Sequence, residues 1–172
     1  DHWGSFAYLK DMKSGLVWSS HHMPTTTVAS SSVARFFEEK AEFTRQDGAF
    51  TTTTEHVVSP ECDSEARHIT VLNNGLTTRE VEFTTYAELV LAPQSSDVAH
   101  PAFSKLFVQT EYLPDIETLI VTRRRRSSSE PEVWVAQCML TKGPLVGAFE
   151  FETDRAKFIG AGRGTQTPAA LD

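Results

Sequence analysis

The histidines come first among the residues that could do chemistry, because imidazole binds metals and transfers protons near neutral pH. There are six of them. His21 and His22 are adjacent, and neighbours along a strand point to opposite faces, so these two cannot easily share an ion. His56 and His68 fall on separate predicted strands, and nowhere do His, Cys and carboxylate residues have the spacing of a metal site. We therefore expect ordinary surface or core histidines, with no metal and no cofactor.

Aspartate and glutamate together number 23 and offer acid–base chemistry. Glycoside cleavage needs two carboxyls across the bond, or one carboxyl and an attacking phosphate. Abundance alone does not show such a pair. A solvent-facing role on strands is favoured for two stretches of carboxylates, Glu111, Asp115 and Glu117, and Glu150, Glu152 and Asp154. The sequence also lacks a G-x-S-x-G nucleophile elbow and a glycine-rich phosphate loop that follows a strand and opens a helix. We assign no catalytic residue.

Aromatic rings are better candidates for contact with a sugar, because pyranose C–H faces pack on flat rings while polar neighbours bond the hydroxyls. Trp3 and Trp18 have polar neighbours of this kind, but most Trp is heavily buried, so a core role for both stays open. In the loop 97–105, Pro101 restricts His100 to extended geometry. This loop could hold His100 in a defined place, or it could simply be a tight connection.

Alternation with a period of two dominates the chain and predicts the strands that would position these residues. One long strand is predicted at 80–91, with its core face formed by Val81, Phe83, Thr85, Ala87, Leu89 and Leu91. The Asn-Asn-Gly turn at 73–75 predicts a hairpin from strand 67–72 into this strand. Further strands are predicted at 5–10, 16–19, 51–58, 103–112, 118–123, 132–140 and 145–152.

Residues 33–43 fit either a short helix capped by Ser32 or a hairpin with arms 33–37 and 41–45. The hairpin is favoured because the neighbours on both sides are strands. Short helical turns are predicted only near 97–102. Many strands at turn-punctuated spacing predict an all-β, antiparallel sandwich.

The charge balance argues against a nucleic-acid partner. The net charge is −7, whereas binding to nucleic acid or to an anionic membrane needs a concentrated positive field. Residues 123–126 are four consecutive arginines, and a solvated strand end is the favoured interpretation of this run. A phosphate-binding patch is the alternative. Cys62 and Cys138 make no disulfide framework, and Cys138 is predicted to be a buried thiol.

The order and spacing of several segments resemble one family. These segments are DHWGSFAYLKD and SGLVWS near the start, FTRQDG with EHVVSP, EFTTYAELVL running on to HPAFSKLFV, and ETDRAKF. Together they are similar to the amino-terminal sandwich of the cyclic β-1,2-glucan synthases and of the cellobiose, cellodextrin and chitobiose phosphorylases.

The resemblance implies a β-supersandwich like that of galactose mutarotase, followed in the family by a helical (α/α)6 catalytic barrel. In that barrel an aspartate is the general acid while phosphate attacks the anomeric carbon with inversion. The barrel cannot be built from 172 strand-rich residues. We therefore expect the catalytic acid to lie outside the chain, and we expect enzyme activity in a parent glycosyltransferase or inverting phosphorylase rather than in this fragment.

The resemblance makes Trp3 and His100 the candidate carbohydrate-proximal residues, since the sandwich contacts the active site or mediates dimerisation in some relatives. We expect a supersandwich domain at 1–160 and, at 161–172, the start of a linker toward the missing helical domain. The expected partners are a β-glucan and that catalytic domain, with a homodimer as an option and no nucleic acid. The expected place is the cytoplasm, or the cytoplasmic side of a membrane-bound parent.

Two other functions stay open. One is an autonomous carbohydrate-binding module with the same fold. The other is a mutarotase-like epimerase, which would need a histidine and a carboxylate as base and acid. His56, His68 or His100 could supply the base, although nothing in the sequence pairs one of them with a carboxylate.

Overall fold

The computed structural model of the chain describes residues 4–172, and two compact units divide it. The first unit joins the chain up to Ala87 with Ala156–Asp172, and the second is Glu88–Arg155. Antiparallel sheets dominate both, which confirms the all-β prediction. No helix within residues 4–172 is long and apolar enough to cross a membrane.

Two sheets form the first unit. The three-stranded sheet has the order β2-β1-β7, and the four-stranded sheet has the order β3-β4-β5-β6. The strands are β1 (Ser5–Asp11), β2 (Val17–Ser19), β3 (Ser31–Phe36), β4 (Ala41–Asp47), β5 (Phe50–Val58), β6 (Glu65–Asn73) and β7 (Val81–Ala87). β3 and β4 form the hairpin that was favoured over a helix.

Trp18 joins the two sheets of the first unit. Its side chain is fully buried with Leu9 and Phe50, and its ring lies stacked on the ring of Phe50 with centroids 5.2 Å apart. The indole Nε1 donates a hydrogen bond of 3.0 Å to the Oγ1 of Thr52. Because both the ring and its polar atom are satisfied inside the protein, Trp18 is a core residue and not a sugar-stacking platform.

The other face of β1 carries a second core cluster. Tyr8 and Tyr86 pack there with Phe158, Ile159 and Leu171, which belong to the last segment of the first unit. The Tyr8 hydroxyl donates a 2.7 Å hydrogen bond to the Thr165 carbonyl. Residues 161–172 are thus packed against the first unit, and a linker that starts within them stays a prediction.

The second unit holds a sheet and two short helices. Its strands are β8 (Val108–Leu113), β9 (Thr118–Arg123) and β10 (Trp134–Cys138), in the order β10-β9-β8. The helices are α1 (Gln94–Ala99) and α2 (Pro101–Lys105), where helical turns were predicted. A third helix, α3 (Arg155–Ile159), was not predicted.

The predicted strand at 103–112 is wrong in its first half. Pro101 occupies the first turn of α2, where its fixed φ favours a helix and its missing N–H costs nothing, so 103–105 are helical. The predicted strand at 145–152 does not form. Leu145 and Val146 are 55% and 77% exposed, so no buried face selects an extended pairing there.

The long strand and its hairpin also differ from prediction. β7 ends at Ala87, and Leu91 has a positive φ of 52° that no regular strand allows. β7 pairs with β1 over seven residues, while β6 pairs with β5, so the Asn-Asn-Gly turn joins strands of different sheets. Tyr86, from the face predicted to be polar, is buried, because β7 has a core cluster on each side.

Cys138 is exposed, which contradicts the prediction of a buried thiol. It closes β10, an edge strand whose alternate residues Trp134, Ala136 and Cys138 face solvent. Cys62 is exposed as well, and both thiols are free.

Candidate binding cleft

The two residues predicted from sequence to lie near a sugar do not define a site. Trp3 lies outside the residues that the structure describes. His100 is exposed in the second unit, at the junction of α1 and α2. Its backbone N–H donates to Ser96 at 3.1 Å and its carbonyl accepts from Ser104 at 3.0 Å, so the loop does hold the position of its backbone. A role for either residue in carbohydrate contact stays a prediction.

A cleft does form in the first unit, on the inner face of the four-stranded sheet. Two adjoining recesses of about 330 and 350 Å³ share the side chains of His21, Met23 and Phe43. His56 and Arg67 complete the wall, and they are direct cross-strand partners on β5 and β6. We call this the His21 cleft, defined by His21, Met23, Phe43, His56 and Arg67.

Sheet register explains why these residues meet. Side chains alternate between faces, so Phe43 and Arg45 on β4 share the face that holds Thr52, Thr54 and His56 on β5. Phe50, Thr52 and Thr54 are buried against the core, and His56 continues the same row beyond it. The cleft is therefore the open end of the core face.

Three rings form a compact triangle in the His21 cleft. The ring centroid of His21 lies 4.5 Å from that of Phe43 and 4.8 Å from that of His56, and Phe43 and His56 are 5.6 Å apart. All three pairs have edge-to-face geometry, with interplanar angles of 70° to 83°. Such contacts favour one relative placement of the rings, so the wall of the cleft is preformed.

Three nitrogen atoms of the cleft are buried without a hydrogen-bond partner among residues 4–172. They are Nε2 of His21, Nε2 of His56 and Nε of Arg67. The other polar atoms of two of these side chains are engaged: His21 Nδ1 lies 2.8 Å from the Ser20 hydroxyl, and Arg67 Nη1 donates to the Ser5 carbonyl at 2.8 Å. A buried polar atom without a partner costs about 1–3 kcal/mol, and each of these three is shielded from solvent, so a ligand reaches them only when a side chain moves.

A buried ion pair holds His21 in place. Arg45 and Asp47 are 4% and 3% exposed, and the guanidinium donates to both carboxylate oxygens, at 2.7 and 2.6 Å. Arg45 also donates to the carbonyls of His21 and Thr27. A bidentate pair with these extra bonds fixes the loop after β2 against β4, and with it the His21 ring.

Both imidazoles of the cleft are neutral at physiological pH. Burial, followed by the nearby His56, Arg67 and Arg45, lowers the pKa of His21 to about 4. Burial and the charge of Arg67 lower the pKa of His56 as well. A neutral imidazole has one donor and one acceptor nitrogen, so the pair can bond a ligand in either sense.

Comparison with known proteins adds the family. The model of the glycosyl hydrolase 94 supersandwich domain matches residues 1–172. The chain belongs to this family. It is also 37% identical over 172 residues to the cyclic beta-(1,2)-glucan synthase NdvB of Rhizobium meliloti (strain 1021). The match covers 100% of this chain and 6% of that relative, so the chain spans a small part of its length.

The supersandwich domain also contains a histidine–carboxylate pair that the sequence did not reveal. His68 Nδ1 lies 2.9 Å from Glu55 Oε2, and the two are cross-strand partners on β6 and β5. The hydrogen bond from His68, followed by that from Lys40, lowers the pKa of Glu55. Both side chains lie on the face opposite the His21 cleft, and His68 is 68% exposed, so they form a solvent-facing cluster.

The cleft of the supersandwich domain is thus suited to binding a neutral, oxygen-rich ligand. Its polar groups are nitrogen atoms set among ring edges and the Met23 side chain, and its arginines are already paired, Arg45 with Asp47 and Arg67 with Glu65. Sequence reasoning missed it because His21 and His56 are 35 positions apart. The alternation of β4 and β5 indicates only that Phe43 and His56 share a face, because His21 lies in the loop after β2.

Proposed function

We propose that the chain is a non-catalytic, carbohydrate-binding and architectural domain of a larger β-glucan synthase or glycoside phosphorylase. The observation that carries the proposal is the match of the supersandwich family model to residues 1–172, and the ring-lined His21 cleft is the candidate contact surface. A glucose residue offers matching chemistry, since its hydroxyls accept and donate hydrogen bonds and its C–H groups pack against rings. The similarity to a cyclic beta-(1,2)-glucan synthase supports a β-1,2-linked glucan as the ligand.

The expected affinity is low. The three unpartnered nitrogens of the cleft are shielded from solvent, so binding has to move side chains as well as offset the entropy of fixing the ligand. We expect a dissociation constant of about 1 mM or weaker, roughly −4 kcal/mol. In the parent protein, the helical (α/α)6 catalytic domain would supply the rest of the binding site.

The test is a titration of the 172-residue chain with β-1,2-gluco-oligosaccharides, followed by amide chemical shifts. We expect shifts around His21, Phe43 and His56. His56→Phe keeps a ring and removes the nitrogens, and it should weaken binding about three- to ten-fold, the worth of one hydrogen bond. His68→Phe is the matched control, because the same change falls on the outer face of the sheet.

The outcomes separate the alternatives. Shifts confined to the surroundings of Trp3 or His100 would move the site to the residues predicted from sequence. Micromolar binding would favour the autonomous carbohydrate-binding module. Equal losses in His56→Phe and His68→Phe, or no shifts anywhere, would refute glucan binding in the His21 cleft.

The remaining parts of the proposal concern the parent protein. Its helical catalytic domain follows a linker that begins within 161–172. The parent protein lies in the cytoplasm or on the cytoplasmic side of a membrane. A homodimer formed through the supersandwich is part of the proposal because the family resemblance includes it. A mutarotase-like activity is less well supported, since the one pair of His and Glu described here, His68 and Glu55, lies on the solvent face.

A further inference from the structure

The arginine run after β9 is gathered around two phenylalanine rings. The guanidinium carbons of Arg123, Arg124 and Arg126 lie 5.1, 5.6 and 5.5 Å from the ring centroid of Phe107. Arg126 is also 5.6 Å from the ring of Phe103, which meets Phe107 edge-to-face at 5.2 Å. These five residues are the arginine–phenylalanine patch, and all belong to the second unit.

The charges of this patch are not balanced by side-chain ion pairs. Among residues 4–172, no carboxylate lies within ion-pair distance of its three guanidinium groups. Arg123 donates to the carbonyl of Ser104 at 2.6 Å, and the nearby Glu130 carboxylate accepts from the backbone N–H of Arg126. Three like charges around one ring repel each other, which an external anion would relieve.

The guanidinium groups of the patch remain able to bind an anion. A cation–π contact engages the charge of a guanidinium but none of its N–H donors. Arg124 and Arg126 are exposed, and no hydrogen bond within residues 4–172 engages their side chains. The patch therefore keeps free N–H donors at the surface.

Apolar side chains adjoin the same patch. Phe103 is 48% exposed, and Leu106, three residues later at the end of α2, is 73% exposed. Residues three apart on a helical turn share a face, so Leu106 extends the apolar surface that Phe103 begins. Exposed apolar groups beside unpaired arginines are typical of surfaces that enter the interfacial region of a membrane.

We infer that the arginine–phenylalanine patch, with Leu106, docks on an anionic phospholipid surface. Lipid phosphates accept hydrogen bonds from the guanidinium groups, and Phe103 and Leu106 insert at the boundary of the acyl chains. A soluble polyanion would leave these two apolar side chains in water. The net charge of −7 does not prevent this contact. Charges more than about 8–10 Å away are screened at physiological ionic strength, so the nearest groups dominate once the surfaces approach.

The experiment is co-sedimentation of the 172-residue chain with vesicles of phosphatidylcholine alone and of phosphatidylcholine mixed with phosphatidylglycerol. We expect binding to the mixed vesicles only, falling as salt rises. Arg124→Glu with Arg126→Glu should lower the partition coefficient at least about twenty-fold, since each basic residue near the surface contributes about five-fold. Lys13→Glu with Lys142→Glu is the charge-matched control, because both lysines are exposed and neither belongs to the patch.

Leu106→Ser separates a lipid surface from a soluble phosphate. It should weaken vesicle binding while it leaves the arginines in place. If Leu106→Ser leaves vesicle binding unchanged, or if soluble glycerophosphate displaces the protein from the vesicles, the ligand is a free phosphate-bearing molecule and not a membrane. No binding to mixed vesicles, equal binding to both vesicle types, or an equal loss in the lysine control would overturn the inference. Circular dichroism of each variant checks that the fold is kept.

Discussion

At the scale of single residues, the His21 cleft shows how buried polar atoms can point to a function. The register of β4, β5 and β6 fixes where Phe43, His56 and Arg67 lie, and the Arg45–Asp47 pair fixes His21. Bonds inside the protein would have lowered the cost of burying their nitrogens. Their lack of partners among residues 4–172 is therefore more informative than the mere presence of histidine.

The lowered pKa of His21 predicts a specific loss of stability in acid. In the unfolded chain His21 takes up its proton near pH 6.5, whereas in the folded protein it does so only at about pH 4. Between these pH values only the unfolded chain takes up this proton, which stabilises the unfolded state. The free energy of unfolding is therefore undiminished by His21 above pH 6.5, and it decreases as the pH falls to about 4.

Thermal melting across this window measures the effect. His21→Gln has no proton to take up, so its melting temperature should fall less steeply with pH than that of the wild type. His22→Gln, at the exposed neighbouring position, should keep the wild-type slope. Identical slopes for the wild type and His21→Gln would show that the imidazole of His21 is not held neutral by its surroundings.

At the scale of elements, the end of α3 depends on a close approach that only glycine permits. Gly160 has a φ of +86°, and a Cβ placed there would lie 2.7 Å from the Cβ of Ala169. This contact brings residues 168–171 back to the core, where Leu171 is buried beside Phe158.

Gly160→Ala should therefore destabilise the domain through both backbone strain and a steric clash, by about 2–4 kcal/mol in denaturant unfolding. Gly162→Ala is the matched control. Its φ of +71° gives similar backbone strain, but nothing lies within 4 Å of the added Cβ, so the loss should be about 1–2 kcal/mol. Equal losses in the two variants would show that the packing against Ala169 contributes nothing.

Local pattern predicted most strands but not their partners. Alternation placed β1, β4, β5, β6 and β9 within a few residues, because each has one buried face or a β-branched run. It found β7 but extended it past its end at Ala87 and missed the burial of Tyr86 on the second covered face. It failed for 145–152, where no face is buried. The turn at 73–75 was recognised, but its residues carry no information about which sheet the next strand joins.

The candidate site was less accessible from sequence than the fold. Strand alternation separates His21 from its neighbour His22, and His56 falls on another predicted strand, so the sequence does not bring His21 and His56 together. Their ring centroids lie 4.8 Å apart only through the packing of the loop after β2 on the sheet. The four-arginine run was likewise visible, whereas the rings of Phe103 and Phe107 that collect it come from α2 and the residue just before β8.

At the scale of the whole molecule, the chain is a family domain that spans 6% of the length of one matched synthase. Its described clefts gather nitrogen atoms and rings, and one group of its carboxylates, around Glu111 and Asp115, lies on and beside the strand β8. Inverting glycoside chemistry needs a positioned acid together with an attacking group. The parts needed for binding and those needed for reaction are thus expected on different domains of the parent.

This division predicts that the 172-residue chain alone releases no sugar phosphate from β-1,2-glucan and inorganic phosphate, and transfers no glucosyl group. Chromatography of the reaction mixture for glucose 1-phosphate and for new oligosaccharides measures both reactions. The amide chemical shifts of the chain should change on addition of oligosaccharide in the same buffer, which shows that an inactive sample is still folded. A parent protein that carries the helical domain serves as the positive control. Turnover by the isolated chain would place a catalytic acid within these residues, and its loss in His68→Phe would assign that acid–base role to the His68–Glu55 pair.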